Sequence, residues 1–220
     1  MFFTLERWRA LCRRIGAVDN PNTGRSVIDT YKELVNAYTG GRFYHNTDHI
    51  DEGLWAIDQI RHLAKDPDAI EAAWWFHDFI YDTTKNDNEQ RSAGKAITIL
   101  GELRPHNTPA KLYFELKVRD LVLATRHREI PDDPDARLIV DIDLLSLGAP
   151  PRVFERNTAN IRLEYLCSVP DDKVFAQGRA DFFRRFMANR SSVYLTEHFR
   201  DKFEAQAQKN IKRTIDILST

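Results

Sequence analysis

Apolar positions recur at helical spacing along nearly the whole chain. Leu5, Trp8, Leu11, Cys12 and Ile15 fall on one face of residues 4–16 at intervals of three and four. Residues 24–39 repeat the pattern with Val27, Tyr31, Leu34, Val35 and Tyr38, and Gly40-Gly41 supplies a stop. Asn46 has the chemistry of an N-cap for a third helix that turns Ile50, Leu54, Ile57 and Ile60 inward. A fourth helix is predicted over "PDAIEAAWWFHDFIYD", residues 67–82, with Pro67 suited to its start. From Ala72 to Tyr81 that segment is apolar nearly all round except at His77 and Asp78, the mark of a buried helix. Further helices read at about 86–103, 110–126, 134–147, 151–167, 171–188 and 195–218, punctuated by Pro105, Pro109, Pro131, Pro134, Gly148, Pro150 and Pro170. The segment "RLIVDIDLL" is the best candidate for a strand, because of its Ile and Val. The predicted architecture is one all-α domain of roughly nine or ten helices.

Composition narrows this picture. A chain of 220 residues with 42% hydrophobic and 30% charged residues suits one soluble domain with a sizeable core. A formal net charge of -1 argues against general nucleic-acid coating but leaves room for a local anion pocket. Cys12 and Cys167 lie far apart and form no CxxC pair, which fits a reduced, cytoplasmic setting. Charges interrupt the N-terminus every few residues, so no signal segment is expected there. No apolar run approaches the ~18 residues of a membrane span.

Three short stretches carry candidate chemistry. In the fourth helix His77 and Asp78 sit between Trp74-Trp75-Phe76 and Phe79-Ile80-Tyr81. A buried carboxylate is costly unless it is paired or binds a metal, so the doublet either hydrogen-bonds locally or belongs to a site. In "GRFYHNTDHID", His45 and His49 are one helical turn apart and can face one spot. The helix N-terminus disfavours a positive charge on His49, which keeps it in the neutral form that ligates metal. Asp141 and Asp143 lie in the apolar stretch "VDIDLLSLG" and again ask for a partner. Taken alone, each stretch also has a plain structural reading: local hydrogen bonding or a helix cap for His77 and Asp78, surface or capping for His45 and His49, and a solvated helix turn for Asp143. His62, His106 and His198 sit in polar contexts and read as surface, and Arg179, Arg184, Arg185 and Arg190 read as a solvated helix face.

Taken in order, "RFYHNTDHI", "WFHDFIYDTTKNDNEQRSA", "ATRH", "VDIDLLSLG" and "VYLTEHFRDKFEAQAQKNI" resemble the HD superfamily of metal-dependent phosphohydrolases. More narrowly, they resemble the bacterial HD family described as predicted metal-dependent phosphohydrolases. The resemblance implies an HD-type domain over 1–220, with a metal-site core at about 43–146 and C-terminal helices at about 151–218 packing on it. It implies His49, His77, Asp78 and Asp143 as ligands of one divalent ion, with Asp143 preferred over Asp141 by analogy. The "HNxxH" arrangement is similar to that of the cyclic-nucleotide phosphodiesterases, which makes His49 the ligand and His45 the proton donor. "HDFIYDT" resembles the "HDxxEDT" of enzymes that hydrolyse guanosine tetraphosphate, with Tyr81 where that motif has Glu. Without that Glu, Asp82, Glu89 or Asp141 is left to accept a proton. Lys85, Arg91, Arg126 and Arg128 are the cations available for a phosphate, and His127 is expected in the pocket.

Two imidazoles and two carboxylates suit Mn, Co, Ni, Fe, Zn or Mg. The expected activity is hydrolysis of a small phosphate ester, such as a nucleotide, by a metal-activated water. The alternative is a non-catalytic, metal-stabilised helical module that binds a nucleotide or a protein. A diiron oxygenase would need two further histidine ligands, and only His127 is well placed to be one.

Overall fold

Helix starts are set by side chains that satisfy the first backbone amides. Thr4 accepts from the Arg7 amide ahead of α1 (Leu5–Ile15), and Ser26 from the Asp29 amide ahead of α2 (Val27–Thr39). Asn46 accepts from the Asp48 and His49 amides ahead of α3 (Thr47–Ile60), and Asp66 from the Ala69 amide ahead of α4 (Pro67–Phe76). Gly16 closes α1 in the left-handed conformation, at φ 70, that a glycine adopts without steric cost. There follow α5 (Asn88–Leu103), α6 (Pro109–Ala124), α7 (Pro134–Asp143), α8 (Pro151–Tyr165), α9 (Asp172–Ala188) and α10 (Glu197–Ile217).

The computed structural model describes residues 1–104, 109–188 and 190–217; the readings of Pro105 as a break and His106 as surface fall outside them. Among the described residues the chain is all-α, with ten α-helices, short 3-10 turns at Arg61–Leu63 and Leu145–Gly148, and no strand. No helix among them is long and apolar enough to cross a membrane. The Ile/Val-rich segment "RLIVDIDLL" is helical through Asp143. Leu138, Ile139, Val140 and Ile142 are all buried, so packing on several sides overrides the strand preference of branched residues.

Two compact units are distinguished, Met1–Ile139 and Val140–Thr220. In the first, Trp8, Leu11, Leu34, Tyr38, Ile50, Leu54, Trp74, Trp75 and Phe76 form a fully buried core. Helix α6 packs on α4 and α5, and α3 packs on α4. One buried acid is held by three arginines. Glu71, 1% exposed, accepts from Arg7 at 2.9 Å, Arg14 at 2.6 Å and Arg61 at 3.3 Å. Asp135, fully buried, accepts from the Lys65 and Asp66 amides at 2.7 and 3.1 Å and so fixes the turn that leads into α4.

In the second unit, Phe154 and Ile161 of α8, Phe183 and Phe186 of α9, and Ala207 and Ile211 of α10 are buried. Gly148 allows α10 to come close, since a β-carbon there would lie 2.6 Å from Phe203 Cβ and 2.7 Å from the Tyr194 hydroxyl. Part of the arginine cluster expected on a solvated face does other work. Arg179 lies over the Phe183 ring at 4.8 Å and Arg190 over Phe186 at 4.3 Å, where their stems and planes cover apolar surface.

Candidate metal centre

Helix α4 stops at Phe76, six residues short of the span its sequence predicts, and His77 to Asp82 leave as an irregular segment. The helix end is stabilised from outside. The His77 ring Nδ1 lies 2.9 Å from the Trp74 carbonyl, and the Phe79 amide donates to the Phe76 carbonyl at 3.0 Å. The Tyr38 hydroxyl donates to the Trp75 carbonyl at 3.0 Å. Burial pushes the Tyr38 phenol well above its usual range, so it remains a donor. Arg42 donates to the Asp78 carbonyl at 2.6 Å and the Phe79 carbonyl at 3.1 Å. The Ile80 amide donates to Ser92 Oγ of α5 at 2.9 Å. Side-chain donors thus replace the next turn of helix, which apolar patterning alone does not reveal.

The other half of the site comes from the start of α3. Asn46 caps the helix, and His49 follows within its first turn, 6% exposed. Gly53, one turn further on, lets α3 approach α4 edge-on. A β-carbon there would come within 2.0 Å of the Trp74 indole. Trp74 in turn donates through Nε1 to the Ile50 carbonyl at 2.9 Å and stacks on the His77 ring at 4.0 Å and 15°. Both imidazoles are therefore seated against one indole face and edge, with His49 at 5.1 Å from it.

The donor atoms of His49, His77 and Asp78 converge. His49 Nε2 and His77 Nε2 are 3.2 Å apart, His77 Nε2 lies 3.1 Å from Asp78 Oδ2, and His49 Nε2 lies 3.8 Å from the same oxygen. A carbonyl can only accept, so the Trp74 contact assigns the His77 proton to Nδ1. In the neutral ring this presents the Nε2 lone pair to the centre. Two ligands at ~2.1 Å from one ion stand about 3.0 Å apart at a right angle and about 3.4 Å apart at the tetrahedral angle. Two of the separations, 3.1 and 3.2 Å, fall between those values and the third, 3.8 Å, exceeds them by a few tenths of an ångström, so one divalent ion fits the group with a small shift of its ligands. The triad supplies two nitrogens and one carboxylate, a set that suits borderline transition metals and leaves other coordination positions open.

His45 stands beside this group rather than in it. Its ring is 5.9 Å from that of His49 and stacks on Tyr81 at 4.1 Å and 30°. Tyr44 packs on both histidines, 4.8 Å from His45 and 5.2 Å from His49. Asp82 accepts from the Thr84 amide and hydroxyl at 2.9 and 2.6 Å, and those bonds hold its carboxyl below the usual range. Glu89 is half-buried in the first turn of α5. Lys85 and Arg91 are exposed, and Arg91 lies 3.9 Å from Asp87. Arg126 is half-buried; with the Gln90 amide turned so that its oxygen faces the guanidinium, Arg126 donates to it at 2.6 Å. His127 leaves α6 in the left-handed region at φ 55, a conformation rare outside glycine but enriched in histidine.

Asp143, the fourth ligand the resemblance implies, belongs to the second unit, where it is half-buried at the end of α7. Its neighbour Asp141 is fully buried and already engaged. It accepts from the Leu195 amide at 2.7 Å, the Thr196 amide at 2.8 Å and the Thr196 hydroxyl at 2.6 Å, in the segment that leads into α10. Burial pushes the Asp141 carboxyl up to about 6, with those hydrogen bonds pulling the other way.

Three residues that build the centre carry no metal-ligand signature of their own. Arg42 lies inside the histidine stretch and bridges it to the doublet. Its signal is a cation set among Tyr38, Phe43 and Tyr44 in sequence. Gly53 is a lone glycine on an otherwise apolar helix face, which marks a close approach. Trp74 sits in an apolar run and is fully buried, and its ring also stacks on His77. No family model, curated protein or solved structure matches the chain.

Proposed function

We propose that the chain is a metal-dependent phosphohydrolase of the HD type, acting on a small phosphate ester such as a nucleotide. The observation that carries this reading is the convergence of His49, His77 and Asp78 from two motifs 28 residues apart onto one point. A divalent ion bound there supplies Lewis-acid polarisation of a phosphoryl oxygen and a more acidic water. The residues around it do the rest. Trp74 fixes the His77 tautomer and holds its ring. His45, half-buried and stacked on Tyr81, is the proton donor for the leaving oxygen. The candidate proton acceptors are Asp82, which accepts from the Thr84 amide and hydroxyl, and Glu89, in the first turn of α5. Arg126 and His127 are the preferred phosphate partners, since Lys85 and Arg91 are exposed.

Metal analysis of the purified protein, joined to a screen of phosphorylated metabolites with Mn, Co, Ni, Fe, Zn and Mg, tests the reading. Near-stoichiometric metal and phosphate release that falls in His45→Ala are expected. A chain that takes up none of these ions overturns it. A second reading, a metal-stabilised binding module without catalysis, draws on the engagement of Asp82 by Thr84 and on Tyr81 at the Glu position of the related motif. Metal uptake with no turnover across the screen decides for it.

A further inference from the structure

We propose that Arg42 is the positioning residue that holds the two halves of the metal centre in register. The proposal rests on the metal reading of His49, His77 and Asp78. Arg42 lies three residues before His45 and donates to its carbonyl at 3.2 Å. The same terminal nitrogen donates to the Asp78 carbonyl at 2.6 Å, and the other one to the Phe79 carbonyl at 3.1 Å. The plane therefore bridges residues 42–46, which end in the cap that starts α3, to the segment that carries the His-Asp doublet.

The guanidinium is itself fixed. It lies over the Tyr38 ring, 5.1 Å from its centroid, and over the Tyr81 ring, 5.5 Å from its centroid. Tyr38 is fully buried and bonded to the Trp75 carbonyl, so it is a rigid wall. Tyr81 continues the stack to His45. Arg42 thus sets the separation of His49 from Asp78 through the backbone, and the attitude of His45 through Tyr81. A planar fork with several donors meets three carbonyls in this geometry, whereas the ammonium of lysine is a point charge on a flexible stem.

Packing of α3 on α4 has other supports, namely the Gly53 approach and the bond from Trp74 to the Ile50 carbonyl. Loss of Arg42 should therefore leave the helices in place and loosen the loop register. Metal–ligand distances tolerate only about 0.2 Å, so a small slip lowers affinity. Removing partners that orient ligands typically costs ~10–100-fold in metal affinity. The sign separates this role from a purely electrostatic one. A cation near a cation site weakens binding, so if Arg42 acted by charge alone its removal would tighten the metal.

Calorimetric titration of the full chain with Co(II), for wild type, Arg42→Ala and Arg42→Lys, tests this together with thermal melts in chelator. Co(II) affinity about 10–100-fold weaker in Arg42→Ala is expected, with a smaller loss in Arg42→Lys and metal-free melting close to wild type. Equal or tighter Co(II) binding by Arg42→Ala overturns the proposal. If Arg42→Ala is unfolded in chelator, Arg42→Lys decides by the same criterion. A wild type that binds no Co(II) overturns the metal reading itself, a result distinct from a variant that matches a metal-binding wild type.

Discussion

Gly53 and Trp74 touch so closely that no other residue type fits between them. A β-carbon at position 53 would overlap the indole at 2.0 Å, and the same indole lies flat on His77 at 4.0 Å. The placement of one histidine of the candidate metal centre is thereby tied to the absence of a side chain on the facing helix.

Gly53→Ala gains helix propensity of ~1 kcal/mol, yet it must displace a fully buried tryptophan, and overpacking costs ~1–3 kcal/mol or more. A net loss of stability is expected, together with weaker metal binding because the His77 ring loses its seat. Denaturant melts and a metal titration on the same variant measure both. A variant more stable than wild type would mean that α3 stands further from α4 than described.

Metal should stabilise the fold. An ion at a hundred times its dissociation constant contributes ~2.7 kcal/mol, which raises the melting temperature by roughly 5–10 °C for a chain of this size. Melts with added Mn(II) or Co(II), and with chelator, give the comparison. Coincident curves would remove the metal from the account of stability.

The two histidines of the "HNxxH" stretch should separate by readout. Asp78→Ala and His49→Ala are expected to lose the metal. His45→Ala should keep it and lose ~10²–10⁴-fold in turnover, the usual range for general acid help. Asp143→Asn reads the fourth-ligand assignment in the same metal analysis. If His45→Ala loses the metal while His49→Ala retains it, the two roles are exchanged.

Asp141 gives a pH dependence of defined sign. Its carboxyl is pushed up to about 6 by burial, against ~3.9 in an unfolded chain. The folded state therefore holds the proton more tightly between those values. The resulting stabilisation is full below about pH 4 and is lost as pH rises through about 6. Wild-type stability relative to Asp141→Asn should fall by about 2 kcal/mol from pH 4 to pH 7. Urea unfolding of both proteins across that range is the measurement. A constant difference would show an ordinary carboxylate.

The helices were legible because their signals are local. Periodic apolar residues, the cap Asn46 and the helix start at Pro67 mark them within a few residues of where they lie. The end of α4 was not legible, because it is set by Tyr38, Arg42 and Ser92, all distant in sequence from the residues they bond. Of the candidate site, His77 and Asp78 stood out as polar groups in apolar surroundings, and His49 by its one-turn spacing from His45 and by the resemblance. Asp141 stood out on the same ground and proved to serve the entry to α10, since burial without a visible partner looks alike in both cases. Arg42 and Gly53 stayed hidden because their importance lies in what they bond or admit, which only the folded chain displays.

The stack of Trp74 on His77 also makes the centre optically self-reporting. Indole emission responds to charge on a neighbouring imidazole and to paramagnetic or heavy ions within a few ångströms. With the two ring centroids 4.0 Å apart, any cation or proton arriving at His77 arrives at a fluorophore as well. The chain has four tryptophans, and replacing Trp8, Trp55 and Trp75 with phenylalanine would isolate this one. Occupancy of the centre could then be followed in real time without a label, a substrate or a colour change.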